Sequence, residues 1–313
     1  MRIFRHFDAL PPEARGAAVA VGNFDGVHPG HRAVIAEAGV IARDAGTPWA
    51  VLTFEPHPRR LFQPETPPFR LTPLRAKARE IAGLGVDFLI VQRFDRSFSE
   101  LPAEAFVDDV LVRCLGAVHV VSGYDFVFGH KRGGNCELLL AMGAKKGFGF
   151  TAVQAVEDPS GEVYSSTRTR ERLTDADPRG AAKILGREFE IDGRVLRGDQ
   201  RGRRIGFPTA NIALGAFLRP ATGVYAVRAA VDDGDEPHWR DGVANLGYRP
   251  TFEGEDVVLE VYLFDFDGDL YGKRLRVRLV DYLRPEKKFD GLEDLKAQIA
   301  SDSAAARRIL KAA

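Results

Sequence analysis

The string GNFDGVHPGH, Gly22–His31, lies where a short apolar run hands over to a helical pattern. The run before it, Ala18–Asn23, reads as a buried strand closed by Gly and Asp. Residues 30–45 repeat their apolar positions at helical spacing. His28 and His31 are three apart, so they share one face of the first helical turn. Pro29 suits that turn, where its missing N–H leaves no bond unmade. Gly30 has no side chain to block a ligand. A helix start offers free N–H groups and a partial positive charge. Two imidazoles added there make a site for phosphates that gain charge in a transition state. A His-x-x-His pair alone is more often structural, whereas the full string in this setting is specific.

Outward from this turn, strand and helix signals alternate. Trp49–Phe54 is a second strand, closed by the EPHP turn. A helix at about 73–84 precedes a strand at Asp87–Gln92, and a helix at about 102–115 precedes one at Ala117–Ser122. Short apolar strands separated by helices predict a parallel sheet covered on both faces, with ligands at the strands' carboxyl ends. Near residue 186 the pattern changes. Gly, Pro and Asp punctuate Phe189–Val195, Gly223–Val231, Val257–Phe264 and Arg274–Asp281, which read as antiparallel strands of a small barrel. A helix over 292–311 ends the chain, and helices at 168–185 read as the linker. The expected domains are 1–185 and 186–313.

Composition narrows the function. The 313 residues are 45% hydrophobic, enough for two cores. Lys+Arg and Asp+Glu both number 44, and the balance holds within each half, which argues against a nucleic-acid or anionic-membrane binder. The two cysteines, Cys114 and Cys136, exclude a disulfide framework and read as reduced thiols. No apolar run approaches the roughly 20 residues that span a bilayer. The start, MRIFRHFDALPPEARG, is broken by charges and prolines, so no signal peptide is expected and the cytoplasm is the predicted location. A homo-oligomer is compatible with all of this.

A second candidate site is GDQRGRRIGFPTANI, Gly198–Ile212. Gly198, Gly202 and Gly206 leave backbone amides free to wrap an anion. No Gly-Lys-Ser/Thr follows, so this is not a Walker A loop. In an extended segment Thr209 and Asn211 point the same way, and a hydroxyl with an amide oxygen suits Mg²⁺. Arg201, Arg203 and Arg204 read as a solvated loop rather than an RNA site. Asp265, Asp267 and Asp269 resemble a calcium loop only superficially. Counted from Asp265, positions 6 and 12 hold Leu270 and Arg276, so the segment reads as a polar hairpin turn.

Further strings follow the strands: TFEPHP (Thr53–Pro58), GYDFVFG (Gly123–Gly129) with Arg132 beyond it, and YSSTRTR (Tyr164–Arg170). Hydroxyls followed by arginines at a helix start can cap the helix and hold a triphosphate together. His57 is a turn residue or a ligand contact, while His119 and His130 read as structural or exposed.

HPGH resembles the HxGH motif of nucleotidyltransferases, whose histidines contact ATP phosphates. The longer string, with GYDFVFG and YSSTRTR, is similar to the prokaryotic bifunctional riboflavin kinase/FAD synthetase family. GFPTAN resembles the flavokinase motif, and the likeness continues through GVYAV, ANLGYRPTF, LEVYLFDFDGDLYG and LRPEKKFD. The resemblance implies a Rossmann-like nucleotidyltransferase domain and a flavokinase β-barrel, together an α/β chain with a terminal helix. It implies that riboflavin is phosphorylated to FMN, and FMN adenylylated to FAD, with ATP as substrate and Mg²⁺ in both steps. His28, His31 and Glu260 are the implied catalytic residues, Glu260 as the kinase base, although periodicity alone makes it an outward-facing strand residue. Gly22, Asn23, Phe24, Asp25, Gly30, Asp125, Arg132, Ser165, Ser166, Thr167 and Arg170 are the implied ligand contacts of the first site. Asp125 stands where some members of the family carry Asn. Gly198, Gly202, Gly206, Phe207, Pro208, Asn245 and Arg284 are those of the second, with Thr209 and Asn211 on the metal. The alternatives are a nucleotidyltransferase for another phosphorylated acceptor, or a flavin-binding regulator with decayed catalysis.

Overall fold

The computed structural model describes residues 1–8, 10–197, 206–234, 236–251 and 254–312, with backbone alone at 249–251 and 254–256. The chain forms two compact units, Met1–Thr66 with Thr72–Ser165, and Pro67–Leu71 with Ser166–Ala313.

The first unit is built on a parallel six-stranded sheet. Its strands are β1 (Arg2–Phe4), β2 (Ala18–Val21), β3 (Trp49–Glu55), β4 (Phe88–Arg93), β5 (His119–Gly123) and β6 (Gly149–Val153), in the order β1-β4-β3-β2-β5-β6. All pairings are parallel. β2 is buried on both faces, as its unbroken apolar run requires. From β2 the chain steps one way to β3 and β4, then crosses back to lay β5 on β2's other side. That reversal opens a crevice at the carboxyl ends of β2 and β5.

Helix α1 (Pro29–Ala45) buries Val34, Ile35, Ala38 and Ala42 and stops at Gly46, whose φ of 63° only glycine adopts without strain. Helices α2 (Pro58–Phe62), α3 (Leu74–Ala82) and α4 (Arg96–Ser99) follow. The helix expected over 102–115 is α-helical only at α5 (Ala103–Ala105) and continues as a π-helix over Phe106–Cys114. Leu115 N accordingly donates to Val110 O, five residues back. Helix α6 (Cys136–Lys146) precedes β6. Both cysteines are free and half-buried.

In the second unit, α7 (Ser166–Thr174) and α8 (Pro178–Leu185) pack on each other, and α8 lies against β7 (Phe189–Leu196) and β12 (Arg274–Arg284). With β8 (Ala210–Ala213), β9 (Gly223–Val231), β10 (Arg240–Thr251) and β11 (Gly254–Leu263), these strands close an antiparallel barrel in the order β10-β11-β8-β7-β12-β9. Val227, Leu246, Leu259, Leu275 and Val277 are fully buried. The terminal helix (Leu292–Ala312) packs Ala306 and Leu310 on Val224, Val243, Phe264 and Val280.

One expectation is corrected. The acidic segment after Phe264 is a turn, with Tyr271 N donating to Asp269 Oδ1 at 2.9 Å, but it closes no hairpin. It joins β11, which pairs with β10 and β8, to β12, which pairs with β7 and β9.

Candidate active sites

The first site is the β2–α1 turn. His28 is the N-cap of α1, and its Nδ1 accepts from His31 N at 3.3 Å. With Nδ1 occupied as an acceptor, the neutral ring carries its proton on Nε2. The two imidazoles stack with centroids 3.6 Å apart and planes 22° apart. Phe24 meets the His31 ring edge-on at 5.5 Å. Gly30 leaves room beneath the pair, since a Cβ there would lie 3.2 Å from the His28 ring. Gly22 likewise leaves room for the Phe24 ring, 2.9 Å from where its Cβ would stand. Phe24 and Asp25 are buried, whereas Asn23 is exposed. The Asp25 carboxylate accepts from Thr72 N at 2.9 Å.

Beside this turn lies a cavity of about 960 Å³, floored by Phe54, Phe62, Phe94, Phe98, Phe106 and Phe128 and edged by Asn23, His57 and Arg132. His57 caps α2, its Nδ1 accepting from Arg59 N at 3.2 Å. Asp125 is exposed at the end of β5, and Phe126 stacks on Phe128 with centroids 5.5 Å apart. Sequence reading missed the phenylalanines. The available signal was composition: 21 Phe against 7 Tyr and 2 Trp.

Tyr164, at the head of YSSTRTR, has its Cβ 3.8 Å from where a Gly30 Cβ would stand, so this motif begins beside the histidine turn. Ser165 is the last residue of the first unit, and Ser166 and Thr167 open α7. Arg170 sits in the second unit, its Nε donating to Phe69 O at 2.9 Å and its guanidinium 5.6 Å over the Phe69 ring.

The second site is a row across the barrel. Asn211 of β8 pairs with Glu260 of β11, and Glu260 pairs with Asn245 of β10. Asn245 pairs in turn with Val224, and Val224 with Arg284. Leu259 and Val261, on either side of Glu260, are buried, so Glu260 points to the opposite, outer face. Asn211 Nδ2 donates to Thr209 O at 3.4 Å, leaving the amide oxygen for another partner. Phe207 meets the Tyr262 ring edge-on at 5.4 Å, and Gly206 has a φ of 89°. Pro208 is exposed. Gly198, Gly202, Arg201, Arg203 and Arg204 lie outside the described residues.

Arg284 is held by Asp302 of the terminal helix, with Nη2 2.7 Å from Oδ2 and Nε 3.1 Å from both carboxylate oxygens. Gln298 supports the same carboxylate at 2.9 Å. Glu286, two residues on, accepts from Asn245 Nδ2 at 3.4 Å. Neither Asp302 nor Glu286 stood out in the sequence, because each is one acid among 44.

A doubly wound sheet with a histidine pair at its switch point, joined to a barrel with a polar row, suits a two-part protein that handles phosphates. Comparison with known proteins makes it specific. The family model for FAD synthetase matches residues 10–168, and that for riboflavin kinase matches 185–310. The bifunctional riboflavin kinase/FMN adenylyltransferase of Pseudomonas fluorescens is 44% identical over 99% of this chain and 98% of its own. Its namesake in Escherichia coli K12 is 44% identical over 93% of this chain and 92% of its own. A solved structure named as a macrolide-efflux protein of Streptococcus pneumoniae superposes with a TM-score of 0.83 at 31% identity, covering 98% of each chain. Among the described residues no helix is long and apolar enough to cross a membrane. The chain belongs to the bifunctional riboflavin kinase/FMN adenylyltransferase family, and it is an enzyme of flavin cofactor biosynthesis with two activities.

Proposed function

We propose that the two activities divide between the two halves, with adenylylation in residues 1–185 and riboflavin phosphorylation in 186–313. The carrying observation is that each compact unit holds its own cluster of candidate site residues. One has the stacked His28–His31 pair, and the other has the Asn211–Glu260–Asn245 row.

In the first site the FMN ring lies on the phenylalanine floor, and its phosphate meets ATP at the mouth near Asn23. An FMN phosphate oxygen attacks the α-phosphorus, the α–β bridging bond breaks, and pyrophosphate leaves. The His28 and His31 imidazoles and the positive end of the α1 dipole bind the charge that develops on the phosphates. Within the first unit Arg132 and Ser165 supply further ATP contacts, and Asp125 holds the flavin or adenine end.

In the second site Glu260 takes the proton of the riboflavin primary hydroxyl as its oxygen attacks the γ-phosphorus, and ADP leaves. The Thr209 hydroxyl and the Asn211 amide oxygen are oxygen donors, which fits Mg²⁺. Held there, Mg²⁺ would neutralise phosphate charge. Arg284, held by Asp302, fixes the strand end from which Glu286 reaches Asn245.

The enzyme works in the cytoplasm on small molecules and takes no nucleic acid. Incubation with riboflavin, ATP and Mg²⁺, followed by separation of the flavins, tests the reading. FMN and then FAD should accumulate. Absence of both removes it, and FMN without FAD leaves only the kinase half.

A further inference from the structure

The turn that carries the histidines, closed by Val27 N donating to Phe24 O at 3.3 Å, holds two residues in strained conformations. Phe24 and Val27 have φ of 47° and 45°, in the left-handed region that β-branched and bulky residues avoid. Such strain persists only where surrounding structure over-determines it. Three braces from residues 72–80 contribute to this.

The first brace is Thr72, directly before α3's cap. Its N–H and hydroxyl donate to Asp25 Oδ1 at 2.9 and 3.4 Å, and its Oγ1 accepts from Gly26 N at 2.7 Å. The second is Lys77, which is fully buried. Its Nζ donates to Glu55 Oε1 at 3.0 Å and to Thr53 Oγ1 at 3.1 Å. That hydroxyl in turn donates to Asn23 O at 3.2 Å. The third is Glu80, which binds Arg32 Nη2 at 3.0 Å, while Arg32 Nε donates to Val27 O at 3.1 Å. The braces meet the turn at Asn23, at Asp25 and Gly26, and at Val27, on both sides of each strained residue.

Resting on the adenylylation reading of this site, we propose that α3 and its leader fix the geometry of adenylyl transfer. Thr72 and Lys77 are its positioning residues and touch no reacting atom. A buried ammonium is a poor stabiliser, since an apolar side chain of similar volume often does as well. Its place here follows instead from a directional need. It orients the Thr53 hydroxyl toward the Asn23 carbonyl, at the edge of the cavity.

The test uses the full-length enzyme with Thr72→Val, Thr72→Ser and Lys77→Met. Adenylylation of supplied FMN is measured alongside riboflavin phosphorylation and thermal melting. A misplacement of about 1 Å costs roughly 10²-fold in rate. Thr72→Val and Lys77→Met should therefore lower the kcat for FAD formation by about 10–100-fold, with KM values for FMN and ATP nearly unchanged. Thr72→Ser keeps both hydroxyl bonds and should restore most of the rate. Kinase turnover should not move. Wild-type kcat in Thr72→Val, or equal loss in Thr72→Ser, overturns the proposal. So does a loss that follows melting temperature alone across the three variants. If Lys77→Met does not fold, the Thr72 pair decides. A wild-type enzyme that makes no FAD would fault the functional reading instead.

Discussion

Glu260 and Asn211 face each other across neighbouring strands of the barrel, and Asn245 flanks Glu260 on the other side. Because side chains alternate along a strand, register partners share a face. The implied base and an implied metal ligand are thus placed together by the sheet itself, although 49 residues (260 − 211) separate them in sequence. A row on rigid strands holds its spacing better than loop residues do.

The histidine pair has a separable role. His28 and His31 lie in the first unit, and the Glu260 row lies in the second. His28→Ala/His31→Ala should stall the enzyme at FMN, with FAD formation down by at least 10²–10³-fold, as for loss of a transition-state donor. Riboflavin phosphorylation should proceed at the wild-type rate. FAD accumulation at the wild-type rate would remove the pair from the chemistry.

Fragments test the division of labour. Residues 186–313 should convert riboflavin to FMN and never make FAD. A fragment of 166–313 should do the same and melt at a higher temperature. Helix α8 buries Ala181, Ile184 and Leu185, and it packs on β7 and β12. Burying a large aliphatic side chain is worth roughly 1.5–3 kcal/mol, so losing Ile184 and Leu185 exposes barrel surface at a measurable cost. Equal melting of the two fragments would show that α8 adds nothing to the barrel. A folded, ATP-competent fragment without kinase activity would undo the modular reading.

Much of this was legible in the sequence, for identifiable reasons. β2 to β5 announced themselves because a parallel strand buried on both faces is an unbroken apolar run. The edge strands did not: β1 is three residues long, and β6 is half-buried throughout. β10 was hidden by its own breakers. Gly242 is required where a Cβ would stand 2.5 Å from Tyr262 O, and Gly247 accommodates the Glu286 carboxylate. Those glycines answer cross-strand contacts that periodicity does not see. The supposed hairpin after Phe264 failed because turn chemistry reports a change of direction, not which strand comes next in the sheet. The site motifs were visible because each is local in sequence. The braces on the histidine turn, from Thr72 to Glu80, were not, since they arise only when α3 is folded against it.

Acid should weaken the first unit through His119. Burial holds its imidazole below the ordinary range, with Glu37 opposing in part. Its Nε2 lies 2.8 Å from Thr151 Oγ1. The folded state therefore binds fewer protons than the unfolded chain between the two pKa values. This contribution to stability is complete above the unfolded value of about 6.5 and is lost as pH falls through the folded one. His119→Gln should flatten that component. The check is the wild-type-minus-variant difference in melting temperature at about pH 8 and pH 5, referred to the ordinary range. A difference independent of pH would leave His119 with packing alone.

The sharpest prediction concerns Glu260. Glu260→Gln keeps the shape and the register with Asn211 and Asn245, but an amide oxygen is far too weak a base to accept the riboflavin proton. Riboflavin and ATP should still bind, because the Thr209–Asn211 pair is untouched. The kcat for FMN formation should fall by roughly 10²–10⁴-fold, the usual worth of general-base assistance. An equal fall in kcat/KM with little change in KM would mark a group acting only in the transition state. FAD formation from supplied FMN should be unchanged, since that chemistry belongs to the His28 turn. Both half-reactions are measured on one preparation of the variant. Near-normal riboflavin phosphorylation would take Glu260 out of the mechanism. Equal loss of both activities would assign the residue to folding, since a kinase base has no part in adenylyl transfer.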